Sequence, residues 1–340
     1  MEVSPSVAVV LGAGGVVGAG WLSGALAGLF EATGFDARRA ELLVGTSAGA
    51  SVAATLRQGF SPADHLAQMV GEDLSAEGQA LAGEPRPRVV ALPDPPSLSL
   101  TGWRPQAPRL ALRALTRVRD PRPGITLSGL APEGQVPHRL VGDPIRNRQR
   151  TPWPTSPTWI CAVGLHDGAL RVFGRDPAPT PDLATAVEAS VAIPGYFSPV
   201  VIDGDRYVDG GARSVTNADL VAGLGFDLVV VIAPMTAVPA AVRPPTRHLS
   251  RALHARVLAS EVRSVRRSGT PVLVIQPTGD DIAELGPSLH HSSAAPAARC
   301  ARRSAVARLQ RPDASAALAI LEAAASRDPG VGPAAVASAS

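Results

Sequence analysis

Leu42-Leu43-Val44-Gly45-Thr46-Ser47-Ala48-Gly49-Ala50 is the stretch on which the reading of this chain turns. Three aliphatic residues make a short buried strand, a Gly-x-Ser-x-Gly pentapeptide follows, and residues 50–58 continue as a helical pattern that Gly59 can close. Passing from strand to helix in so few residues forces a sharp turn at the serine. A side chain at Gly45 or Gly49 would collide with neighbouring backbone. The serine hydroxyl is left at a helix N-terminus, where the dipole favours negative charge. Alone, the pentapeptide reads equally well as a glycine-rich structural turn with an idle serine; the strand before it and the helix after it favour a nucleophile.

Upstream, residues 7–11 read as a second buried strand, Gly12-Ala13-Gly14-Gly15 as a loop, and residues 18–31 as a helix that Gly34 stops. Strand, loop, helix, strand, turn, helix is the pattern of parallel strands joined by helices. Downstream, strands are expected at 158–163, 169–173, 200–202, 206–208, 228–232 and 272–275, with helices at 183–190 and 249–267. In the last of these, Leu249, Leu253, Val257, Val262 and Val265 recur at helical spacing. It reads first as a surface helix covering a sheet, and second as a membrane-surface helix. The expected fold is therefore α/β, a three-layer sandwich with a mainly parallel central sheet. One domain is expected over 7–290. Within it, 84–157 is an irregular Pro/Arg-rich insertion or lid with a short helix near 109–117. Residues 291–340 are expected to form a tail with a helix at 314–325 and a disordered end.

Composition narrows the function. The chain has 340 residues, 45% of them hydrophobic, enough for a sizeable core. Every basic side chain is Arg, and a net charge of +3 without a dense basic block gives no reason to expect nucleic-acid binding. Cys161 and Cys300 stand far apart, with no CxxC pair and no zinc-like Cys/His spacing, so neither a metal site nor a cofactor is expected. The uncharged run 7–30 has the length of a membrane span. Gly12, Gly14, Gly15, Gly18 and Gly20 break it and no basic segment precedes it, so a buried strand, loop and helix explain it better. A cytoplasmic location, with peripheral membrane contact at most, is the expectation.

Two more short stretches carry chemistry. Acyl transfer to a serine creates an oxyanion, and a glycine loop lets backbone N–H groups approach it closely. Gly12, Gly14, Gly15, Val16 and Gly18 lie in such a loop after the first strand. A dinucleotide loop is the rival, but Val17 stands where its third glycine belongs, and the next strand ends in Gly45-Thr46 and not in a ribose-binding acid. Asp209-Gly210-Gly211 closes the 206–208 strand. Read alone it is a turn; beside a serine, a desolvated carboxylate can accept the hydroxyl proton.

These pieces, in this order, resemble the patatin-like phospholipase family. So does Ala189-Ser190-Val191-Ala192-Ile193-Pro194-Gly195-Tyr196-Phe197-Ser198-Pro199-Val200. The resemblance spans roughly residues 7–234. It implies Ser47 as nucleophile and Asp209 as its base in a dyad, Gly14, Gly15 and Val16 at the oxyanion hole, and a lipid or phospholipid ester as substrate. Ser190 and Asn217 are taken as structural. The family's glycine loop usually carries a basic residue where this chain has Val17, which puts substrate preference in doubt and keeps open a patatin-fold protein that binds lipid or a partner without hydrolysis. A Ser-His-Asp triad using His290 or His291 is the mechanistic alternative.

Overall fold

The computed structural model describes residues 4–82, 93, 103–115, 123–242, 248–285 and 294–326. β1 (Val7–Leu11) leads through the glycine loop into α1 (Gly15–Thr33), and β2 (Leu42–Thr46) turns directly into α2 (Ala48–Arg57). Five helices follow: α3 (Pro62–Val70), α4 (Ala76–Ala82), α5 (Pro108–Leu115), α6 (Pro123–Leu130) and α7 (Arg139–Arg146). Then come β3 (Thr158–Gly164), β4 (Leu170–Phe173), α8 (Leu183–Val191), β5 (Val200–Ile202), β6 (Asp205–Asp209) and β7 (Leu228–Ile232). The order closes with α9 (Leu249–Arg267), β8 (Val272–Ile275), α10 (Gly279–Leu285), α11 (Ala294–Leu309) and α12 (Ser315–Ala325).

The eight strands form one sheet, in which β3, β2, β1, β7 and β8 run parallel and β4, β5 and β6 add antiparallel pairings. Leu11 pairs with Gly45 and Ile232, so the glycine loop, the serine turn and the chain after β7 all leave from one end of the sheet. That carboxyl end is where open α/β sheets place their ligands.

β3 organises the site. One of its edges carries β4, from Ile160 to Val163. The other edge is shared: β2 pairs with residues 158–161, and β6, running the opposite way, pairs with 162–164. β2 and β6 thus approach each other head-on. Thr46 ends opposite Cys161 and Asp209 ends opposite Ala162.

Alternating residues feed two cores. Val9, Leu11, Leu43, Ile160 and Tyr207 face α1, α2 and α8; Val10, Val44, Cys161, Val229 and Val231 face α9 and the 218–221 turn. The result is the three-layer α/β sandwich read from the sequence. Among the described residues α1 is the one helix long and apolar enough to cross a bilayer, and 67% of that window is buried inside the protein.

Several elements depart from expectation. α1 begins at Gly15, three residues early. α3 was unread, although Ser61 caps it through the Asp64 N–H and Pro62 opens it. In the 84–157 stretch α5 answers the short helix expected near 109–117, while α6 and α7 are helices beyond that expectation. Residues 291–340 were set apart as a tail, yet α11 and α12 send Ala297, Ala301, Ala305, Leu309 and Leu321 into the same core as α1. The seam is close because α1 offers Gly20, Gly24 and Gly28 at four-residue spacing. Cβ atoms placed there would meet the carbonyl oxygens of Ala294, Ala298 and Arg302 at 2.3, 1.9 and 2.5 Å. In α9 the expected stripe divides: Val262 and Val265 are buried, while Leu249, Leu253 and Val257 face outward. His290, His291 and residues 327–340 lie outside the described residues.

Candidate active site

Ser47 sits between β2 and α2 with φ 56° and ψ −120°, a conformation that strains any residue with a Cβ. Close packing imposes it. A Cβ on Gly49 would lie 1.9 Å from the Leu11 carbonyl oxygen, and one on Gly45 would lie 2.6 Å from the Cα of Ala50. Only glycine at both positions lets α2 start so close to β1.

The strained backbone is held by Ser190. The Ser47 N–H donates to Ser190 Oγ at 2.9 Å, and the Ser190 hydroxyl donates to the Cys161 carbonyl at 2.6 Å. A second clamp comes from Asn217, itself at φ 51°. Its Nδ2 donates to Thr46 Oγ1 at 3.1 Å and to the Ser214 carbonyl at 2.8 Å, while Arg213 donates to its Oδ1 at 2.8 Å.

Asp209 reaches the serine from the other side. Its carboxyl lies close enough to the Ser47 side chain for the serine to lower its proton affinity, and its Oδ1 accepts the Gly211 N–H at 2.7 Å. Its own N–H donates to the Ala192 carbonyl at 3.0 Å, which ties the end of β6 to the end of α8. A Cβ on Gly210 would stand 2.4 Å from the Cys161 carbonyl oxygen, so this turn packs directly on β3.

The glycine loop is anchored beside this pair. The Gly12 N–H donates to the Ile232 carbonyl and the Ala13 N–H to that of Val215. A Cβ on Gly211 would be 3.8 Å from the Ala13 Cβ, so loop and aspartate turn are neighbours. Gly14, Gly15 and Val16 come next, at the start of α1, where helix geometry leaves N–H groups without an intrahelical acceptor. Gly15 adopts φ 59° and Gly14 packs against Pro234. Gly18 follows, its N–H bonded to the Gly14 carbonyl.

Ser47, Asp209 and the glycine loop thus gather at one end of the sheet. The model of the patatin-like phospholipase family matches residues 9–222. The chain belongs to this family of lipid acyl hydrolases. No curated protein matches it. The patatin-like match covers β1 through the 218–221 turn; β7, α9, β8 and the α11–α12 pair lie beyond it.

Within this patatin-like domain the pair is almost sealed from water: Ser47 is 3% exposed and Asp209 6%. Burial pushes the Asp209 carboxyl up to about 6, against the lowering influence of its hydrogen bonds from Ser47 and the Gly211 N–H. A carboxylate so placed is a proton acceptor near neutral pH rather than an inert anion. Val17, at the position where the patatin-like glycine loop usually has a basic residue, is buried in the core with Trp21 and Leu22. Among the described residues no three or more His, Cys, Asp or Glu side chains gather as a metal set.

One supporting residue was not read from the sequence. Glu261 on α9 is buried, and its Oε2 accepts from the Thr216 hydroxyl and, at 3.0 Å, from the Ala218 N–H. It thereby holds the 214–218 loop whose Val215 carbonyl anchors Ala13. Glu261 lies 45 residues from Thr216 in sequence, in an ordinary helical pattern, and no local signal marks it.

Proposed function

We propose that the chain hydrolyses acyl esters of lipids, with Ser47 as nucleophile and Asp209 as the base of a two-residue centre. The observation that carries the reading is a strained, buried serine beside a buried carboxyl whose affinity for protons is raised by that burial. Asp209 takes the hydroxyl proton as Ser47 Oγ adds to the ester carbonyl. The oxyanion is met by N–H groups of Gly14, Gly15 and Val16, where removing a single such donor costs about 3–4 kcal/mol in measured hydrolases. Collapse of the adduct expels the alcohol, which receives the proton from Asp209. Water then attacks the acyl-serine with Asp209 again as base, releasing the fatty acid and restoring the hydroxyl. Ser190 and Asn217 support this chemistry by holding the backbone of Ser47 and Thr46; neither needs to touch the ester.

The test has two parts. A fluorophosphonate should label the folded protein once, at Ser47, as read by peptide mapping. Turnover of a short-chain nitrophenyl ester should fall by about 10⁴-fold or more in Ser47→Ala. Folded protein that takes no label and turns over no ester would leave the lipid-binding reading in its place.

A further inference from the structure

Among the described residues, seven of the eleven large apolar side chains left exposed lie on two stretches, residues 103–130 and α9. α5 and α6 form a hairpin cap over the ends of β3 and β6. Leu110 and Ile125 pack on Val163 and Val208, and a Cβ on Gly124 would lie 2.3 Å from the Ala212 carbonyl oxygen, one residue past the Asp209-Gly210-Gly211 turn. On its outer side the cap exposes Trp103, Leu112, Leu127 and Leu130, with both Leu112 and Leu127 65% accessible. Across the same sheet face stands the first part of α9. Arg251 donates to the carbonyls of Pro234 and Thr236, and Pro234 is the residue against which Gly14 packs, so this end of α9 also borders the glycine loop. Here Leu249, at 59%, and Leu253 point outward.

Scattered exposed leucines are ordinary, whereas a set concentrated on two elements that border one site calls for a partner. Charge says which. Residues 103–112, α6 and α9 carry Arg104, Arg109 and Arg256 on the outside, and their one acid, Glu261, is buried under Thr216. Leucine and tryptophan fringed by arginine is the composition that suits a surface of anionic lipid head groups over acyl chains. A rigid protein seated across both arms would cover the site between them. A fluid bilayer would instead present its esters to it.

We propose that this end of the molecule docks on anionic lipid bilayers through the two arms, α5–α6 and the start of α9, with the Ser47 end of the sheet between them. The inference rests on the lipid-hydrolase reading but is tested apart from it. Docking is scored on Ser47→Ala protein, by co-sedimentation with vesicles of phosphatidylcholine with or without phosphatidylglycerol. Ester turnover by the unmodified protein is scored separately on a soluble short-chain ester.

Vesicles containing phosphatidylglycerol should carry the protein down, and added salt should weaken this. Leu127→Glu and, independently on the other arm, Leu249→Glu should each lower vesicle affinity about tenfold. Arg109→Glu should lower it about fivefold or more. Phe30→Glu, an equally apolar exposed site roughly 20 Å along α1 from the glycine loop, should leave it unchanged. Circular dichroism checks the fold of each variant, and either arm alone suffices should the other variant fail to fold. Turnover of the soluble ester without vesicle binding overturns the docking surface and leaves the enzyme. Binding without turnover does the reverse. Binding that is indifferent to both leucine variants, or a dimer in solution that only those variants dissolve, also overturns it; in the latter case the arms cover a second copy of the chain.

Discussion

At the serine turn, Gly45 and Gly49 bring α2 against the end of β1; along the α1–α11 seam, Gly20, Gly24 and Gly28 bring one helix against another. The contacts are equally close, with an added Cβ 1.9 Å from a carbonyl oxygen at both Gly49 and Gly24. Their consequences are opposite. The first forces Ser47 into a left-handed conformation and leaves the Asp209 carboxyl in a site that disfavours its charge. The second joins two relaxed helices through small side chains and buries no charge. Close packing costs stability at the site and supplies it at the seam, so the two regions should respond to substitution in opposite directions.

The sharpest test is Asp209→Asn. Turnover should fall about 10²–10⁴-fold, the usual contribution of a positioned base. The protein should nevertheless melt higher at pH 7. The sign follows from the raised carboxyl: the cost of holding it ionised is present above its folded value of about 6 and is relieved as pH falls toward 3.8, its ordinary value. The gain in melting temperature should therefore be largest above pH 6 and vanish below pH 3.8. A variant that melts lower at pH 7 would break the comparison.

Gly24→Ala probes the other side. It should leave ester turnover intact while lowering unfolding free energy by about 1–3 kcal/mol in a denaturant titration, as overpacking does elsewhere. An unchanged midpoint would mean that α11 does not seat on α1.

Ser47→Gly brings the contrast to a single residue. It should abolish turnover, as alanine does, yet stabilise the fold by about 1 kcal/mol, because glycine accepts this conformation and alanine does not. Equal melting of the glycine and alanine variants would show that the turn stores no strain. The smallest effect is on pH: kcat/KM for a neutral ester should rise with pH along an acid limb centred near 6, as Asp209 loses its proton.

The same contrast explains what the sequence disclosed. Gly45-Thr46-Ser47-Ala48-Gly49 is readable because the collision that demands glycine comes from adjacent chain and from β1, whose Val-rich pattern is itself plain. The strands at 228–232 and 272–275 announce themselves by β-branched runs. The seam is silent, because the atoms that need Gly20, Gly24 and Gly28 belong to residues 294–302, and alanine there gives no hydrophobic signal of its own. α6 is hidden by the Pro123-Gly124 pair that opens it, and α7 by Pro144 inside it and by its arginines. Ser190 was noticed as part of a block but its two hydrogen bonds join β3 to the turn after β2, a relation that exists only once the sheet has formed. For the first half of α9 the periodicity promises burial, yet Leu249, Leu253 and Val257 face outward.

The head-on meeting of β2 and β6 along β3 makes that strand a ruler for the chemistry. Serine and aspartate are kept in reach by counting rungs, one from each side, so their spacing changes only in whole steps of about 3.3 Å, each of which also turns the side chain to the opposite face. Such a gap cannot drift. The lengths that do not enter the count are free to change, which is why the long stretch separating the two residues in sequence can carry α5, α6 and α7 without disturbing the distance across which a proton must pass.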